Sequence, residues 1–268
     1  MSKTQTWVDA HCHLADERLE NRLDDILERS RAVGVGAWVQ GGVSPDDWER
    51  QLKLKEKFGK AIVTAFGLHP WWVASNRKSE VEAALKKLEK KIPEAQALGE
   101  LGLDFGPKHS SAENNLRQFW AFESQIEIAK RADKPLILHV VRAHAEALDI
   151  LRDHGQYPAS GIVHSFSSSY EIAKQYLDLG FYLSIGGSIT REGFQNIKKA
   201  VGSFPLDRIV IETDSPDQTP KLPGIENDAL NEPTNLIGIA QVLASLCGVE
   251  RGALLSSSSD RLRKLFRI

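Results

Sequence analysis

Eight times along this chain a short apolar run is followed by a longer amphipathic segment, and this rhythm constrains the fold more than any other feature. Short runs bounded by glycine, proline or polar turns read as buried parallel strands, and apolar residues at helical spacing read as helices packed on them. The strands fall at Thr6–His13, Ala37–Gln40, Ala61–Gly67, Ala95–Leu101, Pro135–His139, Gly161–His164, Phe181–Ile185 and Arg208–Glu212. Helical segments follow at Leu19–Val33, Ser44–Phe58, Val81–Lys91, Asn114–Ala132, Ala143–His154, Tyr170–Gly180 and Gln195–Val201, and Asn235–Leu246 and Gly252–Phe266 close the chain. Eight βα units without a composition break predict an α/β fold, a TIM-type (β/α)8 barrel forming a single domain over residues 1–268. A doubly wound open sheet is the competing arrangement. The serine run Ser256–Ser259 reads as a loop or a helix start.

A barrel of this kind carries its chemistry at the C-terminal ends of its strands. The first strand ends in Asp9, His11 and His13 at alternating positions, which strand periodicity places on one face. Cys12, between the histidines, points to the opposite face and is not counted as a ligand. Strand four ends at Glu100, strand five at His139, strand six at His164, and strand eight in Glu212-Thr213-Asp214. Singly each has a bland reading: His139 bonded to a carbonyl, Glu100 paired with Arg142, Asp214 forming a turn before Ser215-Pro216. Together they put four imidazoles and two carboxylates on one rim, which is costly unless a cation compensates. Six such donors exceed one tetrahedral site with an open position. Two divalent ions ~3.5–4 Å apart, bridged by a carboxylate, would use them all. Glu100 is the natural bridge, His11, His13 and Asp214 complete one site, and His139 and His164 the other. Two ions sharing a water would lower its pKa and hold both the attacking and the leaving oxygen of a phosphoryl group. The donor types suit zinc, manganese or magnesium without choosing among them.

Composition narrows the field. With 34 basic and 36 acidic residues the net charge is −2, so the basic excess of a bulk nucleic-acid binder is missing. The lysines of Lys86–Lys91 and the cluster Arg261, Arg263, Lys264 read as solvated faces. Two cysteines, Cys12 and Cys247, make no disulfide framework and fit a reducing compartment. The chain opens on polar residues and no apolar run approaches a membrane span, so a cytoplasmic protein with no membrane partner is expected. Nothing specifies an oligomer.

The stretches DAHCHL, GLHPWW, GELGLDF, ILHVVRA, HSFS, ETDSP and NEPTNL, spanning Asp9 to Leu236, resemble the TatD family of metal-dependent deoxyribonucleases in the amidohydrolase superfamily. The resemblance implies a TIM barrel with two metal ions held by His11, His13, Glu100, His139, His164 and Asp214. It implies that Asp214 also accepts a proton from the nucleophilic water, giving Asp214 and Glu100 catalytic roles. The implied reaction is hydrolysis of phosphodiester bonds in DNA, often from the 3′ end. Three positions depart from the family pattern: Val141 where arginine is common and Ser168 where glycine is common, both touching substrate contacts rather than ligands, and Ser259-Asp260-Arg261 where asparagine is common.

Two further residues are assigned to substrate binding. His69, at the exit of strand three, would contact a substrate oxygen, against the alternative of a structural loop histidine. Arg142 would clamp a phosphate, against the alternative of pairing with Glu100 or Asp104. Trp71 and Trp72 either stack on a base or cap the barrel. Two rivals remain: hydrolysis of a small amide, ester or lactone at the same metals, and a metal-stabilised binding protein without turnover.

Overall fold

The computed structural model of the chain describes residues 6–155, 160–226 and 228–268. The polar opening, residues 1–5, lies outside them. The described strands are β1 Trp7–Cys12, β2 Val35–Gln40, β3 Ile62–Val63, β4 Ala65–Phe66, β5 Ala97–Asp104, β6 Leu136–Val141, β7 Gly161–Val163, β8 Tyr182–Ile185 and β9 Ile209–Ile211. β3 and β4 are one run broken at Thr64, whose N–H donates to Gln96 Oε1 at 3.1 Å. Eight strand positions therefore result, as the rhythm predicts.

Pairing is parallel throughout and follows chain order, β1-β2-β3 and then β4 to β9. A doubly wound sheet would reverse its order at a switch point. This order never reverses, and its two ends meet. Across the β1–β9 seam the Asp214 N–H donates to His11 O at 2.9 Å and the His13 N–H to Ser215 O at 2.6 Å. The fold is a (β/α)8 barrel. One apolar cluster gathers Val8, Ala10, Val39, Val63, Ala97, Ile137, Ile162 and Val210, with Leu262 and Phe266 of the last helix. These small and branched side chains fill the lumen. Two residues further on stand His139, His164 and Glu212, on the same side of their strands. An apolar floor thus lies directly beneath a polar mouth.

The helices are α1 Leu23–Ala32, α2 Pro45–Phe58, α3 Pro70–Ser75, α4 Lys78–Lys91, α5 Ala112–Ala132, α6 His144–Asp153, α7 Tyr170–Asp178, α8 Gln195–Ala200, α9 Leu236–Cys247 and α10 Arg251–Phe266. Ser44 caps α2 by accepting from the Asp47 N–H, with Pro45 in the first turn. The first helical segment differs from expectation, opening as a 3-10 turn over Glu17–Arg22 before α1.

Four local expectations are corrected. The serine run is neither a loop nor a helix start but the middle of α10. Ser259 Oγ accepts from the Val8 N–H at 3.0 Å and Ser258 Oγ from the Ile211 N–H at 3.1 Å. Hydroxyls are retained there because they serve strand groups along the seam. Arg261 is not on a solvated face, since its guanidinium donates to Ile209 O at 3.1 Å. β5 does not stop at Leu101 but continues to Asp104, all eight residues buried, with its ladder to β6 slipping between Gly99 and Leu101. That slip is a bulge, and Glu100 sits in it. Asp9 does not share the histidines' role, because the register of β1 shifts between Asp9 and Cys12. Its carboxylate accepts from the Thr213 N–H at 2.9 Å and the Thr213 hydroxyl at 2.5 Å, and burial pushes it up to about 8.

Candidate metal centre

Glu100 is 1% exposed and divides the site between its two oxygens. Oε1 lies 3.4 Å from His11 Nε2 and 3.2 Å from His13 Nε2. Those nitrogens are 3.2 Å apart and stand 3.5 and 3.4 Å from Asp214 Oδ1. A tetrahedron with bonds of ~2.0–2.1 Å has edges of about 3.3–3.4 Å, and these five separations are of that length. Among the described residues Glu100 Oε1 has no hydrogen-bond partner. A buried carboxylate oxygen without a donor, facing imidazole nitrogens, fits a cation better than it fits an empty space. Gly41 supplies the room. A Cβ there would stand 2.5 Å from Cε1 of both His11 and His13 and 2.7 Å from Glu100 Oε1.

Oε2 faces the second group, 3.3 Å from His139 Nδ1, 3.5 Å from His164 Nε2 and 3.8 Å from His69 Nε2. Hydrogen bonds on the far side of each ring decide which nitrogen is free. His164 Nδ1 donates to Glu212 Oε1 at 3.1 Å, leaving the Nε2 lone pair for the site. Glu212 is fully buried and also accepts from the Ser165 N–H at 2.7 Å and from the Ser184 hydroxyl. His139 Nε2 donates to Asp104 Oδ2 at 3.3 Å, leaving its Nδ1 lone pair. His69 differs, because its Nδ1 accepts the Trp71 N–H at 3.1 Å as the cap of α3. The remaining nitrogen of neutral His69 therefore carries a proton. It lies 3.2 Å from His139 Nδ1 but is built to donate, not to ligate.

The electrostatics agree with this division. Burial alone would raise the Glu100 carboxyl, but the surrounding His11, His164 and His69 hold it well below the usual range. Burial likewise opposes ionisation of Asp214, yet His164 and His13 keep it at about 2. Asp104 also sits at about 2, because hydrogen bonds from His139, Gly106 and Trp71 outweigh its burial. For His164, burial is overcome by Glu212, Asp214 and Glu100, which lift it to about 10. A divalent ion facing the His164 Nε2 would displace the proton held there.

The six expected ligands thus converge, and all but the fully buried His11 line a cleft with a volume of about 620 Å³. Arg142 does not join them. It is exposed, at positive φ, and pairs with neither Glu100 nor Asp104; it borders an adjoining hollow.

A family model described as TatD related DNase matches residues 8–267. The chain belongs to the TatD family. The human protein named deoxyribonuclease TATDN3 is 29% identical over 266 residues, covering 97% of this chain and 94% of its own. An Escherichia coli K12 protein named as the uncharacterized metal-dependent hydrolase YcfH is 32% identical over 266 residues, covering 97% and 96%. The crystal structure of the TatD homolog YJJV from E. coli K12 superposes with a TM-score of 0.87 at 27% identity, covering 98% of each chain.

Three residues of this TatD chain escaped the sequence reading as parts of the site. Glu212 stood at a strand exit beside Asp214 and its position was the available signal. Asp104 was hidden because the strand was read as ending before it. Arg18 carried no signal at all; it lines the cleft with its guanidinium held by Asp16 at 2.9 Å and Asp217 at 2.7 Å. Among the described residues, no single helix is long and apolar enough to cross a membrane.

Proposed function

We propose that this TatD-type hydrolase cleaves phosphodiester bonds of DNA, or of small DNA-like diesters, with two divalent ions. The observation that carries this reading is the split of Glu100, with each carboxylate oxygen facing its own set of lone pairs. His11, His13, Asp214 and Glu100 Oε1 would hold one ion, and His139, His164 and Glu100 Oε2 the other. Bound there, zinc, magnesium or manganese would activate a water and neutralise charge building on the phosphoryl oxygens. Asp214 is ionised and borders the cleft, so it can take the proton from that water. The His69 Nε2–H is placed to donate to a phosphoryl oxygen. Glu212 and Asp104 hold His164 and His139 in the required tautomers. Arg142 would hold a phosphate from outside the cleft rather than at the scissile group. Two free cysteines, one buried, fit a cytoplasmic setting.

Metal-depleted protein restored ion by ion should regain hydrolysis of single-stranded DNA or dinucleotides. Asp214→Asn should remove that turnover. If amides, esters or lactones are hydrolysed and phosphodiesters are not, the carbon-centred alternative takes its place.

A further inference from the structure

We propose that Trp71 and His109 form a stacking platform for a nucleobase of the substrate, placed beside the metal cleft and bordered by Lys108 and Arg142. The proposal rests on the phosphodiesterase reading given above.

Trp71 is 48% exposed, while its neighbour Trp72 packs against the core. An indole this exposed is normally free to move, but this one is fixed. Its Nε1–H donates to Asp104 Oδ2 at 2.5 Å, and Asp104 is itself buried. The ring stacks on His109 with centroids 5.0 Å apart and planes at 19°. It also meets His69 edge to face with ring centroids 4.8 Å apart and His139 edge to face at 5.8 Å. One carboxylate therefore positions both Trp71 and the His139 ring of the metal centre.

Trp71 and Val141 bound both the metal cleft and a neighbouring hollow of about 520 Å³. Lys108, His109 and Arg142 line only the second. Among the described residues Arg142 forms no ion pair, so its charge is available to an anion. An aromatic surface held in place by its hydrogen bond and its stack, two cationic side chains lining the same hollow, and the metal cleft on the other border of the indole together suit the base and the backbone of a nucleotide. Stacking tolerates any base, since each has a π face, whereas the flanking cations recognise only the backbone.

The test compares a 5′-fluorescein oligothymidylate with an oligomer of equal length built from abasic tetrahydrofuran units. The wild-type metal-loaded protein should cleave the thymidine oligomer with kcat/KM about tenfold higher. That ratio should fall towards one in His109→Ala and in Trp71→Leu, and should survive largely in Trp71→Phe, which keeps a ring. Arg142→Ala should weaken both oligomers alike. A wild-type ratio of one, or a ratio that persists in both His109→Ala and Trp71→Leu, overturns the platform and leaves the hydrolase reading intact. If Trp71→Leu does not fold, His109→Ala carries the comparison. If the wild type cleaves neither oligomer, the DNA reading fails, and fluorescence anisotropy with the same two oligomers judges the platform alone. Thymidine binding about tenfold tighter than abasic, lost in His109→Ala, supports it; equal binding overturns it.

Discussion

At the barrel mouth a single proton on each imidazole separates a ligand from a donor. Glu212 and Asp104 fix that proton on His164 and His139, and the backbone of Trp71 fixes it on His69. Replacing Glu212 with Gln should therefore weaken ion binding by roughly 10- to 100-fold while leaving all six donors in place. A metal-buffered titration measures this, and an unchanged affinity would remove Glu212 from the account. Gly41→Ala acts by volume. The added methyl would crowd His11, His13 and Glu100 at the first donor set, so elemental analysis should find fewer ions per chain than in the wild type. The six donors were legible in the sequence because they stand at strand exits, where period two and strand ends can both be read. Asp104, Glu212 and Arg18 act through partners distant in sequence, and no spacing rule reports such pairs.

Among the elements, α10 matches its expected range to within one residue, and only its serine run departs from expectation. Serine favours caps and turns when nothing else constrains it, so four in a row suggested a break. The helix instead needs Ser258 and Ser259 to accept from strand N–H groups along the seam. Ser258→Ala and Ser259→Ala should each cost about 1–3 kcal/mol in urea or thermal unfolding, because each leaves a buried N–H unpaired. α3 was missed for a related reason: histidine is an uncommon cap, and a segment of six residues has too little periodicity to detect. A further prediction belongs to the contact between α6 and α7. His144 lies against Tyr176 OH at 3.1 Å, and burial lowers its pKa below the ordinary value. The folded state then binds fewer protons than the unfolded state once the pH drops below about 6.5. Stability from this group is complete above that pH and is lost on acidification. His144→Asn, which keeps a polar partner for Tyr176, should show a smaller fall in Tm between pH 7 and pH 5 than the wild type does.

For the whole molecule, the repeating βα rhythm made a barrel the first reading, but a doubly wound sheet carries the same rhythm, and the strand order of the structure separates the two. The closure itself was not legible, because β1 and β9 meet through loop backbone and α10 hydroxyls rather than a regular ladder. Ions at the mouth would tie β1, β5, β6, β7 and the β9 exit together. Removing them with a chelator should lower Tm by several degrees, with recovery on re-addition, since a ligand bound only by the folded state stabilises it. Calorimetry on stripped and reloaded protein measures the difference.

The first donor set joins His11 and His13, near the start of the polypeptide, to Asp214, some two hundred positions later. On a ribosome His11 and His13 would therefore be made long before Asp214 could join them. An ion captured before Asp214 emerges would lack a full set of donors and be released. With this set as the proposed ligands, full ligation would come late and would mark the moment at which the two ends of the chain have found each other.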